Sequence, residues 1–186
     1  MIRTRTKNRH PEDFHRTPLE AVRALLEIER SRLPEVIWEP ACGDGAIVLP
    51  LREAGYTVIA SDLVDRGCPF SKGWHDFFAE TMVAPGIVTN PPYSLAQAFV
   101  TKALELSPYV AMLLPLGFLA GQRRMPWHRG SPLARVHIFS RRLPLMHRDG
   151  YEGPKATSGV DHAWFVWDAA RRVPHPRVMW VDYDDL

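Results

Sequence analysis

Two cysteines, Cys42 and Cys68, are all that the 186 residues contain, too few for a disulfide framework, so a reducing setting, the cytoplasm, is expected. Long hydrophobic runs are equally scarce. The longest, residues 110–121, is interrupted by Pro115 and falls short of the roughly 18 apolar residues that span a bilayer, so no membrane partner is expected. The basic first residues lead into no apolar segment, so no signal peptide is expected. Charge of one sign is missing too. Lys and Arg number 23 against 21 Asp and Glu, a net +2, and bulk charge alone does not mark a nucleic-acid binder. Eight histidines are present, yet no Cys/His set has zinc-ligand spacing, and no metal is expected. Repeats and low-complexity tracts are absent.

What remains is 46% hydrophobic and 24% charged, the balance of a globular domain with a sizeable core. A single domain over 1–186 is expected, with a basic arm at 1–13 (Arg3, Arg5, Lys7 and Arg9), a polar substrate loop at 146–160 and a C-terminal tail at 169–186. Arg-Arg pairs at 123–124, 141–142 and 171–172 suit phosphate tracking or plain solvation equally.

Local pattern predicts the elements. Thr17, Pro18 and Glu20 read as a capping box opening an amphipathic helix that ends near residue 32, before Pro34. Strands are predicted at 36–39, 56–60, 86–89, 109–114, 136–139 and 163–167. Helices are predicted at 46–54, from Ser94 onward with Gln97 completing a second capping box, and at 118–124. Strand and helix alternate from Val36 to Leu114. That alternation predicts an α/β fold with a mainly parallel central sheet flanked by helices.

In such sheets ligands gather at the carboxyl ends of the strands. Glu39 to Gly45, Asp62, Asp76 and Asn90 to Tyr93 all fall at or near predicted strand ends. Gly43 and Gly45 permit positive φ where a strand enters a helix. The turn is shorter than a phosphate loop and lacks its lysine. Asp62 suits a ribose diol or a helix N-cap; Asp76 suits an adenine amino group or a surface turn. Together they describe a nucleoside cofactor held without a phosphate cradle, which fits S-adenosylmethionine better than NAD or ATP.

Asn90-Pro91-Pro92-Tyr93 adds a rigid step. The Asn90 side-chain carbonyl and the Pro91 backbone carbonyl are acceptors suited to a planar amine with two N–H donors. Tyr93 offers a face for a heterocycle. Acceptors fixed in this way stabilise positive charge growing on nitrogen. The alternative is a rigid strand-to-helix corner with Tyr93 in the core.

Glu39-Pro40-Ala41-Cys42-Gly43-Asp44-Gly45 followed by Asn90-Pro91-Pro92-Tyr93 resembles the motif pair of S-adenosylmethionine-dependent DNA adenine-N6 methyltransferases. Arg16-Thr17-Pro18, lying before it, resembles the Thr-Pro motif of the gamma-ordered members. The similarity covers about residues 14 to 168. It implies a Rossmann-like class I methyltransferase fold with the last strand antiparallel. It also implies cofactor contacts from Thr17, Pro18, Glu39, Ala41, Gly43, Gly45, Asp62, Asp76 and Asn90, with Leu63 or Phe77 on the adenine ring. Asn90, Pro91, Pro92 and Tyr93 would act on a flipped adenine of double- or single-stranded DNA. The four-residue amine motif alone is shared with enzymes that methylate RNA guanine or protein glutamine. A non-catalytic nucleic-acid-binding module of the same fold is the remaining alternative. The family's second aromatic has only Tyr151 as a candidate. Within these 186 residues no separate target-recognition domain is expected. Base readout would then fall to loops 117–130 and 146–160, with Arg123 and Arg124 in the first, to the basic arm, or to a second subunit of a homodimer. Cys42 reads as a packing residue, and His147 and His162 bracket the long loop.

Overall fold

The computed structural model describes residues 14–71, 73–144, 159–171 and 173–185. Seven strands form one sheet: β1 (Val36–Glu39), β2 (Thr57–Ala60), β3 (Gly86–Thr89), β4 (Tyr109–Pro115), β5 (Leu133–Phe139), β6 (His162–Asp168) and β7 (Arg177–Val181). Their order across the sheet is β2-β1-β3-β4-β6-β5-β7. β6 runs antiparallel to both its neighbours, and every other pairing is parallel. The helices are α1 (Leu19–Ile28), α2 (Val48–Glu53), α3 (Ala96–Leu106) and α4 (Met125–Gly130).

The central strands are apolar at consecutive positions because both faces of the sheet are covered. Tyr109, Ala111 and Leu113 of β4 join Trp164 and Val166 of β6 under α1 and α2. Val110, Met112 and Leu114 point the other way, with Phe165 and Trp167, toward Phe99, Val100 and Ala103 of α3. The chain leaves β1 for β2 on one side and returns to lay β3 on the other. The loops after β1 and β3 therefore diverge and open a crevice above their carboxyl ends, where open α/β sheets bind ligands.

Several local expectations changed. α1 begins after Pro18, an N-cap residue with no side-chain acceptor, and the Thr17 hydroxyl one residue earlier accepts a hydrogen bond from Asn90 (3.1 Å). α3 starts at Ala96, past the Ser94 box, after a 3-10 turn at Tyr93–Leu95. The helix expected at 118–124 resolves into a 3-10 turn at Leu116–Leu119 and α4. Gly121, at φ +120°, breaks the path between them, and Pro126 sits in the first turn of α4. The segment read as a tail contains β7, an edge strand parallel to β5. β6, the last strand legible from sequence, is antiparallel as expected.

A buried ionic cluster ties α1 to the far end of the sheet. Arg135 grips Glu29 with Nε and Nη2 (2.7 and 3.0 Å) and reaches Asp168 (3.0 Å). His137 Nε2 lies 2.7 Å from Glu29, and the Tyr109 hydroxyl donates to it at 3.2 Å. Burial pushes the Glu29 carboxyl up, but His137 and Arg135 outweigh it and hold it below the usual carboxylate range. An acid at a helix C-terminus is otherwise unfavourable against the helix dipole.

Candidate functional site

Glu39 ends β1 with its side chain fully buried. Its Oε1 accepts the Ala41 N–H (3.1 Å), while Oε2 has no partner among the described residues. Burial raises its pKa to about 8; the nearby Thr89 hydroxyl and the Ala41 N–H oppose the rise, and the Asp62 charge adds slightly to it.

The turn that follows is fixed by the end of β2. Cys42 N–H donates to the Ser61 carbonyl (3.0 Å), and Gly43 N–H donates to Asp62 Oδ2 (2.8 Å). Asp62 Oδ1 accepts from Val64 N–H (2.9 Å), so the carboxylate orders its own loop as well as the glycine turn. Gly43 and Gly45 have φ of +55° and +91°, left-handed positions that favour glycine. Any side chain at 43 would also run into the Phe14 ring. The Cys42 thiol is buried, and burial drives its pKa up, so it stays protonated and serves as packing.

Asn90 follows β3. Its amide nitrogen donates to the His15 carbonyl (3.0 Å) and to Thr17 Oγ1 (3.1 Å). A backbone carbonyl can only accept, so the orientation of the amide is determined: nitrogen toward the Thr-Pro segment, oxygen away from it. Tyr93 stacks on the His15 ring (centroids 5.6 Å apart, planes 15° apart) and meets the His162 ring at 5.7 Å and 43°.

The crevice brings together Phe14, His15, Thr17, Glu39, Ala41 and Asn90 around a cavity of about 20 Å³. That is room for about one water. The segment from Phe14 to Thr17 forms its roof; the Arg16–Asp44 ion pair and the Arg66 guanidinium over the Phe14 ring (4.4 Å) hold that roof down.

Other expected residues lie further out. Asp76 is exposed and caps a 3-10 turn through Phe78 N–H (2.9 Å). Phe77 is core, stacked on Phe99 at 4.8 Å and edge-on to Trp38. Leu63 is 61% exposed and is the apolar side chain beside Asp62 that faces outward. Arg124 spends its guanidinium on the Gly117 and Ala120 carbonyls and over the Phe118 ring, while Arg123 is exposed. Tyr151, the basic arm and most of loop 146–160 lie outside the described residues. Phe14, His15 and His162 were not singled out for the site by sequence. His15 carries a weak signal in being adjacent to Arg16-Thr17-Pro18, and His162 only in its place at the end of the long loop. Among the described residues, no group of three or more His, Cys, Asp or Glu is placed to hold a metal, and no helix is long and apolar enough to cross a membrane.

A seven-stranded sheet of this order, parallel but for one strand, with its crevice above β1 and β3, has the fold of class I S-adenosylmethionine-dependent methyltransferases. No protein-family model and no curated protein sequence matches the chain. Among solved structures it is similar to a Pyrococcus horikoshii protein described as an RNA methyltransferase, at 18% identity and TM-score 0.63, covering 83% of this chain and 86% of that one. It is similar to the methyltransferase subunit of a type I restriction-modification system from Streptococcus thermophilus, at 14% identity and TM-score 0.60. That alignment covers 90% of this chain but 47% of the subunit, so the chain spans about half of that protein. It is also similar to magnesium protoporphyrin IX methyltransferase from Synechocystis PCC 6803 with bound S-adenosylmethionine, at 15% identity and TM-score 0.53, covering 80% and 77% of the two chains.

Proposed function

We propose that this chain transfers a methyl group from S-adenosylmethionine to the N6 amine of an adenine in DNA. The observation that carries the reading is the orientation of Asn90, whose amide nitrogen is committed to His15 and Thr17. The carbonyl oxygen is thereby turned away from that segment, the orientation that recognition of an amine by an acceptor requires. With the Pro91 carbonyl beside it, it would polarise both N–H bonds and stabilise the charge that grows on nitrogen. The Tyr93 face would hold the base once it has left the stack.

The residues present fit the cofactor. The orphaned Glu39 Oε2 suits its α-ammonium, the Gly43 and Gly45 turn permits close backbone approach, and Asp62 retains acceptor capacity for ribose hydroxyls beyond its two backbone bonds. Bound there, S-adenosylmethionine supplies an electrophilic methyl on sulfonium sulfur. Asn90 and Pro91 would aim the amine at it. The type I restriction-modification neighbour supports DNA as the polymer, and the Asn-Pro-Pro-Tyr motif supports an exocyclic amine.

The test incubates the protein with methyl-labelled cofactor and DNA, RNA or cell-extract protein, then identifies the labelled product. Label as N6-methyladenine in DNA is the expected result. Asn90→Ala is expected to lower transfer by about 10²- to 10³-fold while S-adenosylhomocysteine still binds. Label confined to RNA or protein, or undiminished transfer by the variant, would overturn the reading.

A further inference from the structure

His162 opens β6, paired with Pro115 at the end of β4 and therefore at the rim of the crevice. It lies on the same strand face as Trp164, whose indole N–H donates to the Ala21 carbonyl of α1 (2.8 Å). An apolar residue would continue that face. Instead an imidazole sits there, 3% exposed, with neither ring nitrogen in a well-formed hydrogen bond among the described residues, although the Val160 backbone lies close enough to act on the ring. A buried donor and acceptor left in this state is costly, and in native proteins such groups mostly have partners or a role that explains their cost.

The ring is in contact with Tyr93, which on its own account stacks on a second planar heterocycle, His15. His15 and His162 lie close enough to influence one another's charge. A base that takes the place of His15 on Tyr93 would thus lie beside His162. From this geometry we infer that His162 donates a ring N–H to a ring-nitrogen acceptor on the edge of the flipped base. This rests on the reading that Tyr93 receives the target base. Adenine presents ring-nitrogen acceptors along its edges, so the N–H of an imidazole is complementary to it.

The groups facing His162 favour the neutral ring. Burial lowers its pKa most; hydrogen bonding with the Val160 backbone opposes this, His15 lowers it further and Asp161 opposes slightly. Tyr93 contributes a ring face.

Two substitutions and one spectroscopic readout test the inference. His162→Phe keeps an aromatic ring and removes both nitrogens; His162→Gln keeps a donor and an acceptor that do not titrate. His162→Phe is expected to raise KM for an adenine-containing single-stranded oligonucleotide about tenfold or more, with S-adenosylhomocysteine affinity changed by less than about twofold and His162→Gln recovering most of the loss. In ¹⁵N-histidine-labelled protein, the His162 ring signals should shift when oligonucleotide is added to the S-adenosylhomocysteine complex. Unchanged KM and kcat in His162→Phe would overturn the inference. So would silent ring signals, or equal losses of stability and cofactor binding in both variants, which would make His162 structural. If the unmodified protein methylates no nucleic acid, the proposed function fails, and the ring signals still decide whether His162 meets a base.

Discussion

Glu39 concentrates the chemistry of the site in one carboxyl. Its unfolded value is 4.5 and its folded value about 8. Below the first, both states hold the proton and the group adds no pH dependence. Between the two, the folded state keeps a proton that the unfolded state has released, so stability falls as pH rises, by up to about 1.4 kcal/mol per unit. Glu39→Gln should flatten that slope, making the variant more stable by a few kcal/mol near about pH 8 and little changed near about pH 5. Urea unfolding at the two pH values measures it. An ammonium against Oε2 would restore the ionised form, so S-adenosylhomocysteine binding near neutral pH should release a proton, read by calorimetry as a heat that depends on the buffer. Glu39, Asp62 and Asn90 were legible from sequence because each stands at a strand end and carries its signal in adjacent letters. Phe14, His15 and His162 were not. His15 is 75 residues from the Asn90 amide its carbonyl holds, and no local pattern encodes that meeting. Phe77 misled for the converse reason, since its neighbour Asp76 reads as a site residue while its ring belongs to Phe99 and Trp38.

At the scale of elements, α1 works as a tie between the two ends of the sheet. Glu29, at its C-terminus, is clamped by Arg135, His137 and Tyr109; just before its N-terminus, Thr17 holds Asn90. Glu29→Ala would leave Arg135 buried with Asp168 as its remaining carboxylate and should cost about 3–5 kcal/mol, measured by denaturant unfolding. The variant should also bind S-adenosylhomocysteine more weakly, although Glu29 lies at the opposite end of α1 from the crevice. The capping box misread at Thr17 shows why helix starts resist local reading: a hydroxyl that pattern assigns to its own helix is available to any donor the fold brings near. β7 escaped for another reason. Val178, Met179, Trp180 and Val181 are all apolar, so no period of two is visible, and its edge position leaves Trp180 72% exposed. The inner strands, apolar and covered on both faces, were legible because their run lengths matched buried strands.

At the scale of the whole molecule, one short segment touches both halves of the crevice. Phe14 lies on the Gly43 turn, His15 lies on Tyr93, and the same residues roof a cavity with room for about one water. A cofactor cannot occupy that space, nor a base the Tyr93 face, until the segment shifts. Whichever ligand arrives first meets the cost of moving it, and the second finds it already moved. The two sites are therefore thermodynamically linked, with positive heterotropic cooperativity as the consequence. S-adenosylhomocysteine should tighten oligonucleotide binding by about 5- to 150-fold, and oligonucleotide should tighten S-adenosylhomocysteine by the same factor. Phe14→Ala, by loosening the roof in advance, should raise both separate affinities and shrink that factor toward one.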